Sequence, residues 1–281
     1  MQVLRQCFGS MRENTNVPFE LYVLNNGSCP SVSKYLEHLY DQGHITYLIK
    51  SQRNVGKVGG WNILFGACQS DIICYTDSDV YFYHDYLQAG IDVLETYPEA
   101  GMVTCQPIAG GDMRFVRTTI EAMNASDINI AIGRLIPDQL LRKIVESLGR
   151  GEDEINRRSE NRHDVRMERN GIVAYSNASH FQFLTRREVV NQLFPVSAGV
   201  LLGGDTQFED TNPRMRWWRL CTENYLVHHI GNVPDEIEQS DPADLNDKVQ
   251  SKGYRSIGRN IHAVRSVVKY LHAATYKYLY K

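Results

Sequence analysis

The stretch "DIICYTDSDVYF", residues 71–82, joins an apolar run to two aspartates, Asp77 and Asp79, that lie one residue apart. The short apolar run predicts a buried strand. Asp and Ser favour turns, so a simple turn is one explanation of its acidic end. Alternatively, two carboxylates at the end of a buried strand repel each other unless a cation or several donors lie between them. Mg²⁺ and Mn²⁺ prefer oxygen ligands and also bind phosphates, so the stretch points to a site for a metal ion and a diphosphate.

The segments around this stretch alternate between helix and strand. Helices are predicted where apolar residues recur at helical spacing, and strands where short apolar runs lie between them. In order, the predicted elements are a helix at 4–11, "FELYVL", a helix at 32–39, "ITYLI", a helix at 61–68, "DIICYT", a helix at 85–97 and "GMVTCQ". This alternation predicts an α/β fold with a mostly parallel, Rossmann-like sheet flanked by helices. Ligands of such sheets bind at the carboxyl ends of the strands, where "NNGS" and "TDSDV" lie.

The composition is that of a globular protein, with 281 residues, 42% apolar and 22% charged. The net charge of −3 gives no reason to expect a nucleic-acid partner. Six cysteines without a C-x-x-C pair predict reduced thiols and a cytoplasmic location. The sequence lacks a run of 18 apolar residues and a signal-peptide pattern, so we expect neither a membrane span nor secretion.

Five motifs in a fixed order carry a family resemblance. They are "LYVLNNGS" (21–28), "NVGKVGGWNILFGACQSDIICYTDSDVYF" (54–82), "SHFQFLTRREVV" (179–190), "GGDTQFED" (203–210) and "YLVHHIGN" (225–232). The ordered set resembles family 2 glycosyltransferases of the GT-A fold over roughly residues 1–232. Each motif alone is a weak signal.

The resemblance implies a single GT-A-like domain. Residues 1–106 would form its nucleotide-sugar-binding half and residues 107–232 its acceptor-binding half, followed by a basic, helical C-terminal extension at 233–281. The family's first strand is missing, because Met1 already lies at the position of the family's first helix. In the family this strand lies in the middle of the sheet and carries part of the nucleobase pocket.

The resemblance also implies the ligands of a divalent cation, Mn²⁺ or Mg²⁺. Asp79 would bind the ion that holds the donor diphosphate, and Asp77 would face the ribose or a water bound to the metal. His229 matches the family's third ligand, although a lone histidine is more often structural than a metal ligand. If this segment is a strand, His228 faces the opposite side.

A further set of residues matches the family's contacts to base, ribose or phosphate. These residues are Asn25, Arg53, Lys57, Asn62, Asp77 and Ser78. Asn25 replaces the family's commoner aspartate, which leaves the base preference open. The segment "NVGK" differs from a phosphate-binding P-loop because Val58, rather than Ser or Thr, follows Lys57.

The acceptor hydroxyl needs a base that takes its proton as the new bond forms. In the family a carboxylate at the start of a helix has this role, and Asp205 fits the position best, with Glu209 as the second candidate. An aspartate before a helix is also an ordinary N-cap. A base that promotes attack opposite the leaving group would give inversion of the anomeric configuration.

The predicted reaction is sugar transfer from a nucleotide-diphosphate sugar to a hydroxyl of a saccharide or lipid-linked acceptor, in polysaccharide or glycoconjugate synthesis. One alternative is a protein with a degenerate GT-A fold that binds nucleotide sugars or glycans without turnover. A second is a sugar nucleotidyltransferase, but that class has a Gly-rich, basic N-terminal loop that this sequence lacks.

Two charged segments remain. Residues 151–170 interleave acids and arginines, which predicts a solvated loop or, alternatively, a lid over the acceptor. Residues 246–281 are basic and could form a helix that lies peripherally on the inner face of the membrane. A helix that packs on the domain or on a partner subunit is the alternative. The oligomeric state stays open.

Overall fold

The computed structural model describes residues 1–109, 116–160, 162–195 and 216–231. These residues form eight α-helices and eleven strands. The helices are α1 (Gln2–Glu13), α2 (Pro30–Asp41), α3 (Gly56–Ala67), α4 (Tyr86–Thr96), α5 (Val116–Asn124), α6 (Asp138–Ser147), α7 (Glu152–Ser159) and α8 (Arg187–Leu193). The strands are β1 (Tyr22–Asn26), β2 (Tyr47–Ser51), β3 (Ile72–Thr76), β4 (Val80–Phe82), β5 (Ala100–Thr104), β6 (Asn129–Gly133), β7 (Asp164–Arg169), β8 (Ile172–Ser176), β9 (Gln182–Arg186), β10 (Trp218–Thr222) and β11 (Val227–His229).

The first four helices form where apolar residues recur at helical spacing, so these predictions are confirmed. The apolar face of α1 buries Cys7, Phe8 and Met11, and α2 begins with a proline at its first position, where no backbone donor is lost. In α3, Trp61 and Phe65 lie four residues apart and are both buried. Of the helices in the described ranges, none combines the length and the apolar character needed to cross a bilayer.

A seven-stranded sheet with the order β3-β9-β5-β10-β8-β7-β6 lies at the centre of the fold. β1 and β2 form a separate parallel pair, and β4 pairs with β11. A central sheet flanked by helices confirms the predicted α/β class. Both predicted halves contribute strands to the seven-stranded sheet, whereas the predicted extension at 233–281 lies outside the described residues.

The strand directions differ from the expected mostly parallel arrangement. Within the described sheets only β1–β2 and β5–β10 are parallel, so the sheet is mixed. One physical reason lies in the second half, where β7, β8 and β9 follow each other without a helix between them. β7 and β8, for example, are joined by Asn170 and Gly171, both with positive φ, as a tight two-residue hairpin requires.

The same region corrects the prediction of a solvated loop or lid at 151–170. Its first part is helix α7, in which Glu154 pairs with Arg157 and Arg158 at helical spacing. Its second part is β7, which buries Val165 and Met167 by alternation. Of the charges that suggested a loop, those of α7 are mostly exposed, whereas Arg162, Asp164 and Arg169 are buried and form ion pairs.

The sheet is interrupted at the place where the family resemblance implies its first strand. β1 pairs on one side with β2, and β3 pairs on one side with β9. No strand of the described residues lies between β1 and β3.

Helices cover both faces of the sheet. Residues of α1 and α4 share one apolar cluster with β5 and β10, and residues of α3 and α8 share a second cluster with β3 and β9. Two arginines at the end of β9 fix the helix ends. Arg186 donates hydrogen bonds to carbonyls at the end of α4, among them that of Leu94, and Arg187 donates to those of Phe65 and Cys68 at the end of α3. These bonds satisfy carbonyls that have no partner within their helices.

Gly101 in β5 gives a test of the close packing around the central sheet. A Cβ at this position would overlap Cβ and Cγ of Trp217, so we expect Gly101→Ala to lower the free energy of unfolding by about 1–3 kcal/mol. Gly133→Ala in β6 is the matched control, because its Cβ would lie 3.7 Å from Leu135 Cδ2, an ordinary contact. Urea unfolding measures both, and equal effects of the two substitutions would contradict the packing described here.

Candidate functional site

Asp77 and Asp79 lie in a turn between β3 and β4, where backbone hydrogen bonds fix both residues. The N–H of Asp77 donates to the carbonyl of Phe181 at 2.7 Å, and the N–H of Ile230 donates to the carbonyl of Asp79 at 2.7 Å. The acidic turn is therefore attached to the segment before β9 and to the segment after β11. The turn thus brings together residues of three motifs, "DIICYTDSDVYF", "SHFQFLTRREVV" and "YLVHHIGN".

Asp79 and His229 form a close pair because β4 and β11 pair with Val80 opposite His229. The Nε2 of His229 lies 3.4 Å from Oδ2 of Asp79. Oδ1 of Asp79 and Nδ1 of His229 are buried and have no hydrogen-bond partner among the described residues. Burial raises the pKa of Asp79, an effect that His229 opposes and the charge of Asp77 reinforces. A carboxylate and an imidazole with unused lone pairs can bind a divalent cation.

Asp77 has a different environment, because its carboxylate already has two donors. The Nζ of Lys57 lies 2.7 Å from Oδ2, and the hydroxyl of Tyr75 donates to Oδ1 at 2.5 Å. Burial and the nearby charge of Asp77 raise the pKa of Tyr75 well above its usual value. Asp77 is thus held by an ammonium group and a phenol, whereas Asp79 keeps a carboxylate oxygen without a donor.

The predicted metal ligands are therefore only partly brought together. Asp79 and His229 meet, but Asp77 lies against Lys57. Among the described residues, no group of three or more His, Cys, Asp or Glu side chains is arranged to hold a metal ion. A cation at the Asp79–His229 pair would need further ligands, such as phosphate oxygens or water.

The predicted base-binding residue, Asn25, is buried and uses both ends of its side chain within its own loop. Its Nδ2 donates to Oγ of Ser33 at 2.8 Å, and its Oδ1 accepts the N–H of Ser28 at 3.0 Å. Asn25 therefore shapes the turn between β1 and α2.

Asn26 and Gly27, which follow Asn25, contact the loop before α3. Oδ1 of Asn26 accepts the N–H of Val55 at 2.9 Å. Gly27 has a φ of +70°, and a Cβ there would lie 2.8 Å from the backbone of Arg53 and Asn54. Only glycine tolerates both the conformation and this close approach. The two loops are therefore joined, and the second leads into α3, whose Lys57 pairs with Asp77.

The other predicted site residues differ in how far the structure describes them. Arg53 and Ser78 are exposed, and Asn62 is half-buried on α3. The two predicted bases, Asp205 and Glu209, lie outside the described residues. Tyr75 was missed by sequence reasoning, although a residue two positions before Asp77 on a strand faces the same side.

His228 faces away from Asp79, as predicted for neighbouring residues of a strand. Its Nδ1 lies 2.5 Å from the hydroxyl of Tyr225, whose ring also contacts the Nζ of Lys143. Burial lowers the pKa of His228 to about 4, and the charges of Lys143 and His229 act in the same direction. The two adjacent histidines therefore have different environments, one beside a carboxylate and one beside a tyrosine.

Comparisons with known proteins identify the family and the fold. The family model described as "Glycosyl transferase family 2" matches residues 1–194. Among curated proteins, none matches the chain. A mannosyltransferase from Pyrobaculum calidifontis, PcManGT, in complex with GDP-Man and Mn²⁺ is 12% identical, with a TM-score of 0.50 over 99% of this chain and 67% of its own.

A second solved structure, GalNAc-T7 with UDP, GalNAc and Mn²⁺, is 13% identical and has a TM-score of 0.51. The match covers 88% of this chain and 45% of that protein, so the chain spans less than half of its length. At such identities the likeness concerns the fold, and it confirms the predicted GT-A fold.

The environment of His228 predicts how stability depends on pH. The pKa falls from 6.5 to about 4 on folding, so between these values the unfolded chain binds a proton that the folded chain does not. Stability should therefore fall as the pH falls, by about 2 kcal/mol between pH 7 and pH 5. Urea unfolding at both pH values should show that His228→Gln removes most of this dependence. His38→Gln, at an exposed histidine of α2, is the control, and an equal loss in both variants would contradict the assignment.

Proposed function

The chain belongs to glycosyl transferase family 2, and we propose that it transfers a sugar from a nucleotide-diphosphate sugar to a hydroxyl of an acceptor. One observation carries this proposal: the pairing of Asp79 with His229, with unused ligand atoms on both side chains, beside a turn that also holds Asp77. Family membership alone would not indicate which residues act.

Asp79 and His229 fit a divalent cation, Mn²⁺ or Mg²⁺, because one carboxylate oxygen and one imidazole nitrogen of the pair are buried without a hydrogen-bond partner among the described residues. Such a cation, when bound, neutralises charge on the diphosphate as it leaves the sugar. The similar structures that contain GDP-Man with Mn²⁺ and UDP with Mn²⁺ support the choice of ion and of donor class. The two protein ligands leave coordination positions for the phosphate oxygens.

Lys57 and Asp77 would serve the nucleotide rather than the metal. Lys57 lies 2.7 Å from Asp77 and its charge also lowers the pKa of Asp79, so it is close to both acids. This position suits an ammonium group that contacts phosphate when the donor binds. Asp77, held by Tyr75, would then be oriented toward the ribose, as the resemblance implies. Arg53, Asn62 and Ser78 would complete the nucleotide contacts.

For the acceptor we keep the assignment of Asp205 as the base, with Glu209 as the alternative. A carboxylate that removes the proton of the acceptor hydroxyl would increase its nucleophilicity as the sugar departs. In-line attack from the face opposite the diphosphate would invert the anomeric centre. The product's anomeric configuration, determined by NMR, tests this step.

The biological setting is part of the same proposal. We expect a role in polysaccharide or glycoconjugate synthesis at the cytoplasmic side of a membrane, with a saccharide or lipid-linked acceptor. The basic segment at 246–281, which lies outside the described residues, would provide peripheral contact with anionic lipid.

Asp79→Asn tests the metal site. The amide cannot supply a second anionic oxygen, so we expect Mn²⁺-dependent binding of GDP or UDP to weaken by about 10–100-fold. Thermal shifts with Mn²⁺ and each nucleoside diphosphate measure the effect. Asp71→Asn, at an exposed aspartate before the same strand, is the matched control and should bind as the wild type does. Undiminished binding by the Asp79 variant would rule out its role as a ligand.

Asp205→Asn tests the base. Loss of the base should lower kcat by roughly 10²–10⁴-fold while leaving the Mn²⁺-dependent thermal shift with the donor unchanged. Transfer is measured with a panel of nucleotide sugars and saccharide acceptors, and Glu209→Gln is the comparison. A larger loss of kcat in the Glu209 variant would assign the base to Glu209 instead of Asp205. Donor binding without product in the wild type would favour the alternative of a non-catalytic nucleotide-sugar-binding protein.

A further inference from the structure

Gln106 lies two residues after the end of β5 and is almost completely buried, with 3% of its surface exposed. Its Oε1 has no hydrogen-bond partner among the described residues. Buried amide oxygens are nearly always hydrogen-bonded, because their removal from water without a partner is costly. Folding alone therefore gives no reason for a glutamine here, since an apolar side chain of similar size would fill the same space at lower cost.

The backbone on both sides of Gln106 is fixed by hydrogen bonds. The carbonyl of Cys105 accepts the N–H of Leu226 at 2.9 Å. On the other side, the N–H of Ile108 donates to Sγ of Cys221 at 3.3 Å. Gln106 thus has a defined place at the carboxyl end of β5, the end at which the ligands of such sheets bind.

A second amide oxygen without a partner lies at the same end of the sheet. Asn224 follows β10, the parallel neighbour of β5, and its Oδ1 is also buried without a hydrogen-bond partner among the described residues. Along the chain, Asn224 lies between Cys221, which pairs with Thr104, and Leu226, which donates to Cys105. Two neighbouring strand ends therefore each carry an unused hydrogen-bond acceptor.

The surroundings of these two oxygens indicate a neutral ligand. Glu223, next to Asn224, already faces Arg166, whose Nη2 lies 3.6 Å from its Oε1. The chain neighbours of Gln106 are uncharged. A buried charged ligand would need an opposite charge, whereas a hydroxyl group is neutral and donates the hydrogen bond that an amide oxygen can accept. Two such oxygens suit a ligand with several hydroxyl groups, such as a sugar ring.

We propose that Gln106 and Asn224 bind hydroxyl groups of a sugar that takes part in the transfer. They lie beside the strands that carry the candidate metal site, because the N–H of Tyr83, after β4, donates to the carbonyl of Leu226, before β11. Three residues of extended chain, roughly 10 Å, separate Leu226 from His229. The inference rests on the proposed transfer reaction. Hydroxyl groups belong both to the sugar of the donor and to a saccharide acceptor, and the test distinguishes these two sources.

Gln106→Met tests the site, because it removes the amide and keeps the approximate size of the side chain. Thermal-shift titrations of the full chain with Mn²⁺ measure the affinities for GDP, UDP and a panel of GDP- and UDP-sugars. If the sugar is that of the donor, the affinity for the best-bound nucleotide sugar should fall by roughly tenfold, while that for its nucleoside diphosphate stays unchanged. If it is that of the acceptor, both affinities stay unchanged and the KM for a saccharide acceptor should rise by roughly tenfold at unchanged kcat.

The stability of the ligand-free protein separates sugar binding from a structural role. Removal of a buried amide without a partner should raise the Tm, by roughly 2–4 °C in Gln106→Met. Gln182→Met is the matched control, because Oε1 of this buried glutamine accepts the N–H of Cys105 at 2.9 Å, and its loss should lower the Tm. Asn224→Ala is the second variant and keeps the test valid if Gln106→Met does not fold, since the same changes in affinity or KM are expected.

The inference is overturned if both variants bind nucleotide sugars and use acceptors as the wild type does, because water alone would then fill the site. A loss of affinity for the nucleoside diphosphate itself would also contradict it, since this loss would indicate damage to the nucleotide site. Either result leaves the proposed function intact as long as the wild type binds nucleotide sugars with Mn²⁺. Absence of such binding by the wild type would overturn the proposed function, and this inference with it.

Discussion

The antiparallel pairing of β4 with β11 is the contact on which the candidate site depends. It joins two three-residue strands, too short to be stable by backbone hydrogen bonds alone. Their stability comes from side chains, because Val80, Phe82 and Val227 are all completely buried in one apolar cluster. Since paired residues of an antiparallel ladder face the same side, His229 follows Val80 toward this cluster. The core below the site therefore fixes the distance between His229 and Asp79.

The two aspartates illustrate how a site can contain adjacent acids at moderate cost. Two carboxylates in one turn repel each other, and burial adds a desolvation penalty to each. Lys57 offsets both effects because it pairs with Asp77 and also favours ionised Asp79. The charge of Asp77 is thus balanced by Lys57, whereas Asp79 is left to pair with a cation from outside the protein. A second lysine on Asp79 would remove the need for a cation, and the described residues provide none.

Local patterns predicted the first half of the fold well because helices and strands alternate there with clear periodicity. The second half was harder to predict, because its hairpins and the charged strand β7 form only when they pair with strands that local sequence patterns do not reveal. Even so, Asn170 and Gly171 between alternating apolar residues form a readable hairpin signal that was overlooked. Alternation at Val165 and Met167 was obscured by the charges between them.

The site was predictable to a different extent. Asp79 was identified as a metal-ligand candidate from its place after a buried strand, whereas His229 was identified only through the family resemblance, because spacing along the chain cannot reveal a pairing between distant strands. Tyr75 could have been found from strand periodicity alone. The use of Asn25 as a structural residue depends on Ser33 in the following helix, so no local pattern excluded it as a ligand contact.

The interruption of the sheet raises the question of what holds β1 and β2 to the rest of the molecule. Among the described residues no β-ladder does so, but side-chain contacts do: Asn26 accepts the N–H of Val55. Tyr22 packs against the apolar cluster that contains Ile73, and Leu21 packs against the cluster that Ile72 also contacts. Hydrophobic contact has no required direction and tolerates a gap, whereas a β-ladder does not. Apolar packing therefore joins β1 and β2 to the rest of the molecule at a place where no ladder of the described residues does. The loop after β1 is attached to the segment before α3, where Asn26 accepts the N–H of Val55 and Gly27 lies against Arg53. Because α3 carries the Lys57 that pairs with Asp77, the turn of Asn25 and the acidic turn are linked through α3.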